Sequence, residues 1–133
     1  MKLSRFLILI FISIVPIFSF SAEKEGVDFV SPKDGDETQS KISLKFSVSG
    51  MDVKPAGVMS EKTGHHHLIV DGKPIPKGTP VPKDEKNLHF GKGESETTLT
   101  LPKGKHTLTL QFADGAHLSY GEAWSKTITI TVK

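Results

Sequence analysis

All six histidines of this 133-residue chain lie between residues 65 and 117, and three of them are consecutive: His65, His66 and His67. On an extended strand successive side chains point to opposite faces, so His65 and His67 share one face, about 7 Å apart, and His66 takes the other. Two imidazoles on one strand face can bind a single metal ion, and a neighbouring strand can add a third nitrogen. This spacing predicts a metal site built on His65 and His67.

The other histidines of the chain begin or end a predicted strand or lie in a turn, so several of them could gather at one end of the molecule. The candidate metal ligands are therefore His65, His67, His89, His106 and His117. Nitrogen-rich ligation favours copper or zinc, because calcium and magnesium prefer oxygen ligands.

A second hypothesis needs no metal. Leu68 and Val70 share a face with His66, whereas Ile69 shares the face of His65 and His67, so this strand is apolar on both sides and is predicted to be central. Histidines in such strands commonly donate one ring nitrogen to a carbonyl and accept with the other. The alternative is therefore a structural or interaction module of the cell envelope, with its histidines in an internal polar network and an envelope protein as its partner.

The elements that position these histidines have a hydrophobic period of two. In residues 41–48 apolar and polar side chains alternate without interruption, which is typical of a half-buried strand. No segment of the mature chain has a convincing helical period. Strands are predicted near residues 27–30, 41–48, 65–70, 87–90, 97–101, 106–112 and 126–133. About seven short strands predict an all-β fold, an immunoglobulin-like antiparallel β-sandwich.

Turn-forming residues separate these strands. The Pro-Lys-Gly-Lys run at 102–105 joins two alternating segments, so we expect residues 97–112 to form a hairpin. Four of the chain's prolines lie within residues 73–86. Because proline has no N–H to donate to a sheet, this segment is predicted to be a surface excursion or an irregular edge.

The N-terminal residues 1–22 are typical of a secretory signal peptide. Lys2 and Arg5 supply positive charge, an apolar run follows to Phe20, and small residues come after it. The run is short for a membrane span, which needs about 20 apolar residues. We therefore expect residues 23–133 to be one exported domain, periplasmic or secreted, with no membrane span after cleavage.

Composition and motifs exclude several classes of function. The chain has no cysteine, and without Lys2 and Arg5 its 15 lysines balance 15 acidic residues, which makes nucleic acid a poor partner. It has neither a G-x-S-x-G nucleophile motif nor a phosphate-binding loop. The protein is therefore predicted not to be an enzyme. The remaining catalytic alternative is a metallohydrolase with histidine ligands and Glu96 as base.

An ordered series of motifs runs through most of the mature chain. It consists of GHHHLIVD at 64–71, LHFGKG at 88–93, LPKGKHTLTL at 101–110, Asp114 with His117, and KTITITV at 126–132. This series resembles the bacterial family called domain of unknown function 4399. The resemblance implies export and a compact β domain, and it implies no activity.

Overall fold

The computed structural model describes residues 15–17, 19 and 21–133, so most of the predicted signal segment, 1–22, lies outside the described residues. Within the described residues the chain forms nine strands and one short 3-10 helix (Glu122–Trp124). The strands are β1 (Gly26–Ser31), β2 (Glu37–Thr38), β3 (Lys41–Ser49), β4 (Asp52–Val53), β5 (Thr63–Val70), β6 (Asn87–His89), β7 (Glu96–Thr100), β8 (Gly104–Ala113) and β9 (Ser125–Val132). In that same part of the chain, no helix has the length and apolar character needed to cross a membrane.

The strands form two sheets. One has the order β1-β3-β7, and the other has the order β2-β9-β8-β5-β4 with β6 also paired to β5. The predicted all-β, sandwich-like fold is confirmed, and each of the seven predicted strands is present. The two-residue strands β2 and β4 were not predicted. They pair in parallel with β9 and β5, so the sheets are not purely antiparallel.

The core lies between the inner faces of the two sheets. Alternate residues of β3 are buried there, and among them Leu44 is fully buried. Leu108 and Leu110 of β8 and Ile130 of β9 are fully buried in the same cluster. The period of two thus identified the inward-facing residues correctly.

The predicted hairpin at residues 97–112 is wrong. β7 pairs with β3, where Leu99 lies opposite Ile42, whereas β8 pairs with β5 and β9 in the other sheet. The turn after Leu101 therefore carries the chain from one sheet to the other. The alternation of apolar residues specifies which side chains face the core. It does not specify the partner strand, because two strands in facing sheets can bury the same side chains as two strands of a hairpin.

The outer face of the larger sheet is also covered, because every residue of β5 is buried. Gln111 of β8 accepts a hydrogen bond from the Ile75 N–H (2.9 Å) and donates one to the Gly121 carbonyl (3.0 Å). These bonds tie the proline-rich segment 73–86 and the segment after β8 to the sheet. The proline-rich segment is largely exposed, as predicted, but its Val81 is buried. We call these two segments the cover. Beneath the cover, the outward side chains of β5 are buried.

Candidate metal centre

Sheet register brings three of the histidines together. His67 of β5 lies directly opposite His89 of β6, and His65 lies two residues earlier on the same face of β5. The prediction that His65 and His67 share a face is therefore confirmed. On the other side of β5, His65 is opposite Ala113, the last residue of β8. The turn that follows Ala113 carries His117 back beside His65.

These four side chains converge, and we call them the histidine cluster: His65, His67, His89 and His117. Each offers one ring nitrogen, and the four nitrogens all lie within 4.8 Å of one another. Nε2 of His65 is 3.1 Å from Nδ1 of His117 and 3.1 Å from Nε2 of His67. His65 and His67 are buried, whereas His89 and His117 are partly exposed. The cluster therefore has a buried floor and a rim that solvent can reach.

Hydrogen bonding inside the cluster is incomplete. A ring nitrogen of a neutral imidazole carries either one hydrogen or one lone pair. Nε2 of His65 has two histidine neighbours at 3.1 Å, so one full hydrogen bond can form there but not two. Nε2 of His89 is buried without a hydrogen-bond partner among the described residues. A cation between the rings would accept a lone pair from each of them.

The surroundings of His65, His67 and His89 lower their pKa values and so favour the neutral rings. Burial, with repulsion from His89 and His117, lowers the pKa of His65 to about 4. Burial and the neighbouring histidines lower the pKa of His67 to about 3. Burial also lowers the pKa of His89, with a further contribution from His117. Neutral imidazole is the form that coordinates a metal, so these rings are available as ligands at pH 7.

Two carboxylates act to raise the pKa of His65. The charges of Asp114 and Glu94 both favour a positive charge at His65, although burial outweighs them. The same influence would favour a bound cation, because attraction between opposite charges does not depend on which group carries the positive charge.

Asp114 also builds the turn that carries His117. Its Oδ1 accepts hydrogen bonds from the N–H groups of Ala116 (2.8 Å) and Leu118 (2.9 Å). His117 itself has a left-handed backbone with φ of 66°, and its carbonyl accepts a hydrogen bond from the Val81 N–H (2.9 Å). A non-glycine residue in this conformation is held there by its surroundings, and such strain is frequent at functional sites.

Gly91 leaves room for the ring of His89. A Cβ atom at Gly91 would lie 2.6 Å from Nε2 of His89 and closer still to its Cε1. Such contacts are too short for any side chain, so the position of the His89 ring depends on the absence of one at residue 91.

His106 is not part of the cluster, which corrects the predicted ligand set. Its Nδ1 lies 2.9 Å from Oδ2 of Asp71 and its Nε2 lies 2.9 Å from the Pro102 carbonyl oxygen. His106 precedes Ala113 by seven residues on β8, which places it about 23 Å along the strand. The two residues lie near opposite ends of β8, so one metal ion cannot bind both His106 and the cluster.

His66 belongs to the core, as its predicted face implies. Its ring centre is 5.0 Å from that of Phe46 and 5.1 Å from that of Phe112. Burial lowers the pKa of His66 to about 4.

The hypothesis of an internal polar network is satisfied fully by His106 and in part by the cluster, where His65 lies within hydrogen-bond distance of His67 and His117. His106 has the predicted partners, a carboxylate and a main-chain carbonyl. Nδ1 of His65 and Nδ1 of His67 have no hydrogen-bond partner among the described residues. In the cluster the rings pack against one another in tilted and edge-to-face pairs.

Glu96, suggested as the base of a metallohydrolase, does not lie in the same sheet as the histidine cluster. Glu96 lies on β7, in the three-stranded sheet, and its carboxylate is exposed and 3.4 Å from Nζ of Lys45. The histidine cluster lies on the outer face of the other sheet.

Sequence reasoning missed the polar residues that hold the cover over the cluster. Gln111 and Ser119 are both buried, and the Ser119 hydroxyl donates to the Ile75 carbonyl (2.8 Å). In the sequence, Gln111 has the alternation expected of a solvent-facing strand residue, so no local signal distinguishes it.

Comparison with known proteins identifies a family for most of the chain. A family model described as "Domain of unknown function (DUF4399)" matches residues 44–133, a segment that contains the whole histidine cluster. Comparison of the chain with curated proteins and with solved structures returns no match.

Proposed function

Because the chain belongs to the DUF4399 family, whose description names no activity, we propose a function from the site itself. The protein is a non-catalytic binding module that takes up one copper or zinc ion through His65, His67, His89 and His117. The observation that carries this proposal is the convergence of four ring nitrogens within 4.8 Å of one another.

The state of the rings supports coordination over a purely structural role. Nitrogen atoms bound to one tetrahedral zinc ion lie about 3.3 Å apart, given zinc–nitrogen bonds of about 2.0–2.1 Å. The two close pairs around Nε2 of His65 are already at 3.1 Å. The four nitrogens lie within 4.8 Å of one another, so the more distant ones would have to approach by up to about 1.5 Å to close the shell, and each ring would then give one lone pair to the ion.

The number of ligands supports a non-catalytic role, and we propose that of a carrier or sensor. Four protein nitrogens complete a tetrahedral shell, whereas catalytic zinc sites keep one position open for water or substrate. The predicted signal peptide at residues 1–22 places this role outside the cytoplasm, in the periplasm or the medium. An envelope protein that supplies or receives the ion is the partner such a role requires.

The test is metal titration of chelator-free protein, followed by calorimetry and by thermal unfolding. We expect about one equivalent of ion to bind, and we expect the Tm to rise because the ion binds the folded state. At a free metal concentration of about 100 times the Kd, binding should stabilise the folded state by about 2.7 kcal/mol. The double variant His65→Ala/His67→Ala should lose both effects.

His106→Ala is the matched control, because it removes a histidine that lies outside the cluster. It should bind metal as the unmodified protein does. If excess copper(II) and zinc(II) leave the Tm of the unmodified protein unchanged, the proposal is wrong.

Export is tested separately, by mass spectrometry of the mature protein after cell fractionation. We expect an N-terminus at Ala22 or Glu23 in the exported fraction. A full-length cytoplasmic product would contradict the proposed location without affecting the metal proposal.

A further inference from the structure

The four rings of the histidine cluster have a definite spatial arrangement. Their six centre-to-centre distances are 4.8 Å (His65 to His67), 5.0 Å (His65 to His89), 5.1 Å (His65 to His117), 5.1 Å (His67 to His89), 5.8 Å (His67 to His117) and 4.7 Å (His89 to His117). Four points separated by six similar distances lie at the corners of a tetrahedron. In a square, the two diagonals would each exceed the sides by about 40%.

The size of this tetrahedron can be compared with that of a metal complex. With zinc–nitrogen bonds of about 2.0–2.1 Å, the imidazole centres lie about 3.2 Å from the ion and therefore about 5.2 Å from one another. A square-planar complex with similar bonds would place neighbouring ring centres about 4.5 Å apart and opposite ones about 6.4 Å apart. The observed range of 4.7–5.8 Å brackets the tetrahedral value, and no pair reaches the diagonal of the square.

We infer that the histidine cluster is preorganised for a tetrahedral divalent ion, zinc(II), and against the square-planar geometry that copper(II) prefers. This inference rests on the proposed function and specifies its ion. Zinc(II) has no geometric preference from its d electrons, so it accepts the tetrahedron as it stands. Copper(I) also accepts a tetrahedron, but it selects sulfur ligands, and the four ligands of the cluster are all imidazoles.

The rings are held in place from several directions, which is what makes their geometry selective. His65 and His67 are buried on β5, which is paired on both of its edges. The ring of His89 lies against Gly91, and the turn built by Asp114 holds His117. Because the rings of His65 and His67 are buried, they have little room to rotate into one plane with the other two.

The experiment uses cobalt(II) as a spectroscopic substitute for zinc in the chelator-free, full mature protein. We expect one equivalent of cobalt(II) to give the intense visible absorption of a tetrahedral complex, and zinc(II) to abolish it by displacement. Copper(II), added separately, should give an electron paramagnetic resonance spectrum with the small copper hyperfine splitting of a distorted tetrahedron.

A ligand variant tests selectivity. His117→Ala removes one corner and leaves a site that can open, so zinc(II) affinity should fall by more than about 100-fold. Copper(II) affinity should fall less, by a difference of at least about tenfold, because three nitrogens and a water can adopt a planar arrangement. His106→Ala should leave both affinities unchanged.

The outcomes separate this inference from the proposed function. Weak cobalt(II) absorption of the octahedral kind, or a square-planar copper(II) spectrum, would overturn the tetrahedral inference while metal binding itself stood. Failure of every ion to bind would overturn the proposed function and this inference together.

Discussion

Two histidines of this protein have opposite electrostatic surroundings. His65 is surrounded by other imidazoles, and burial with their repulsion lowers its pKa to about 4. His106 is hydrogen-bonded to the Asp71 carboxylate, which raises its pKa. The first remains neutral and available for coordination at pH 7, and the second gains charge readily and has no free lone pair. At the scale of the residue, the partner of each imidazole decides its chemistry.

His66 permits a test of the core that leaves the cluster in place. Its ring is buried between aromatic side chains, and neither ring nitrogen has a hydrogen-bond partner among the described residues. We expect His66→Leu to stabilise the fold by about 1 kcal/mol at pH 7, because an unpaired buried polar group costs about 1–3 kcal/mol. Urea unfolding of the metal-free protein measures this. Destabilisation instead would mean that the ring contributes more through packing than it costs through lost hydrogen bonds.

The ion pair of His106 with Asp71 predicts a pH window. The pKa of His106 is raised from 6.5, so its stabilisation is complete below pH 6.5 and is lost as pH rises through the folded-state pKa. For Asp71, burial raises the pKa, but hydrogen bonds with His106 and Thr107 lower it below 3.8 overall. The contribution of Asp71 to the stability of the fold is present above pH 3.8 and is lost as the pH falls through the folded-state pKa of this carboxyl group.

His106→Ala should therefore destabilise the protein most between about pH 4 and pH 6.5, and less at pH 8. Because solvent reaches the Asp71 side chain, which is 42% exposed, the effect should stay below about 1 kcal/mol. Thermal unfolding across this pH range, compared with the unmodified protein, measures it. A loss that is equal at pH 5 and pH 8 would show that the ion pair contributes nothing beyond its neutral hydrogen bonds.

At the scale of the element, β5 serves the core and the site at once. Its inward side chains, Leu68 among them, pack between the sheets, while His65 and His67 face the covered outer side. A shift of one residue in its register would exchange the two sets, so core packing specifies the positions of the ligands. The turn after β6 depends on Gly91 in a comparable way, since the ring of His89 fills the space beside it.

Gly91→Ala tests this dependence. The backbone there is not left-handed, so alanine is accepted conformationally, but its methyl group would displace the His89 ring. We expect metal affinity to fall by about 10–100-fold, a loss typical of changes that misplace a ligand. Calorimetric titration measures it, with His89→Ala and the double variant for comparison. The double variant should bind no more weakly than His89→Ala, and additive losses would exclude an effect through His89.

At the scale of the whole molecule, metal binding should be coupled to the stability of the larger sheet. The cluster draws its ligands from β5, from β6 and from the turn after β8, and these are separated by up to 52 residues in sequence. An ion bound by all of them would oppose the opening of each element, because opening any one breaks a metal bond.

Hydrogen exchange with and without zinc(II) tests this coupling. We expect the amides of β5 and of residues 114–119 to exchange more slowly when the ion is bound, whereas those of β1 and β7 should change little. A chelator should reverse the protection. Equal protection of both sheets would mean that the molecule opens only by global unfolding, and protection of neither would contradict the ligand set.

The sequence alone determined the local part of this structure. The alternation of apolar residues predicted most of the seven longer strands, and strand 65–70 was predicted from apolar residues on both of its faces. The His-x-His spacing placed His65 and His67 on one face with His66 opposite, because side-chain direction in a strand depends only on parity. The same reasoning could not identify β2 or β4, which are two-residue strands with no pattern to read.

The tertiary structure decided which distant residues meet. His89 and His117 join the cluster and His106 does not, although all three flank strands or turns, since membership depends on which strands pair and in what register. For the same reason β7 pairs with β3 of the smaller sheet, and β8 pairs with β5 and β9 of the other sheet. These pairings depend on how whole faces pack together, and no short stretch of sequence contains that information.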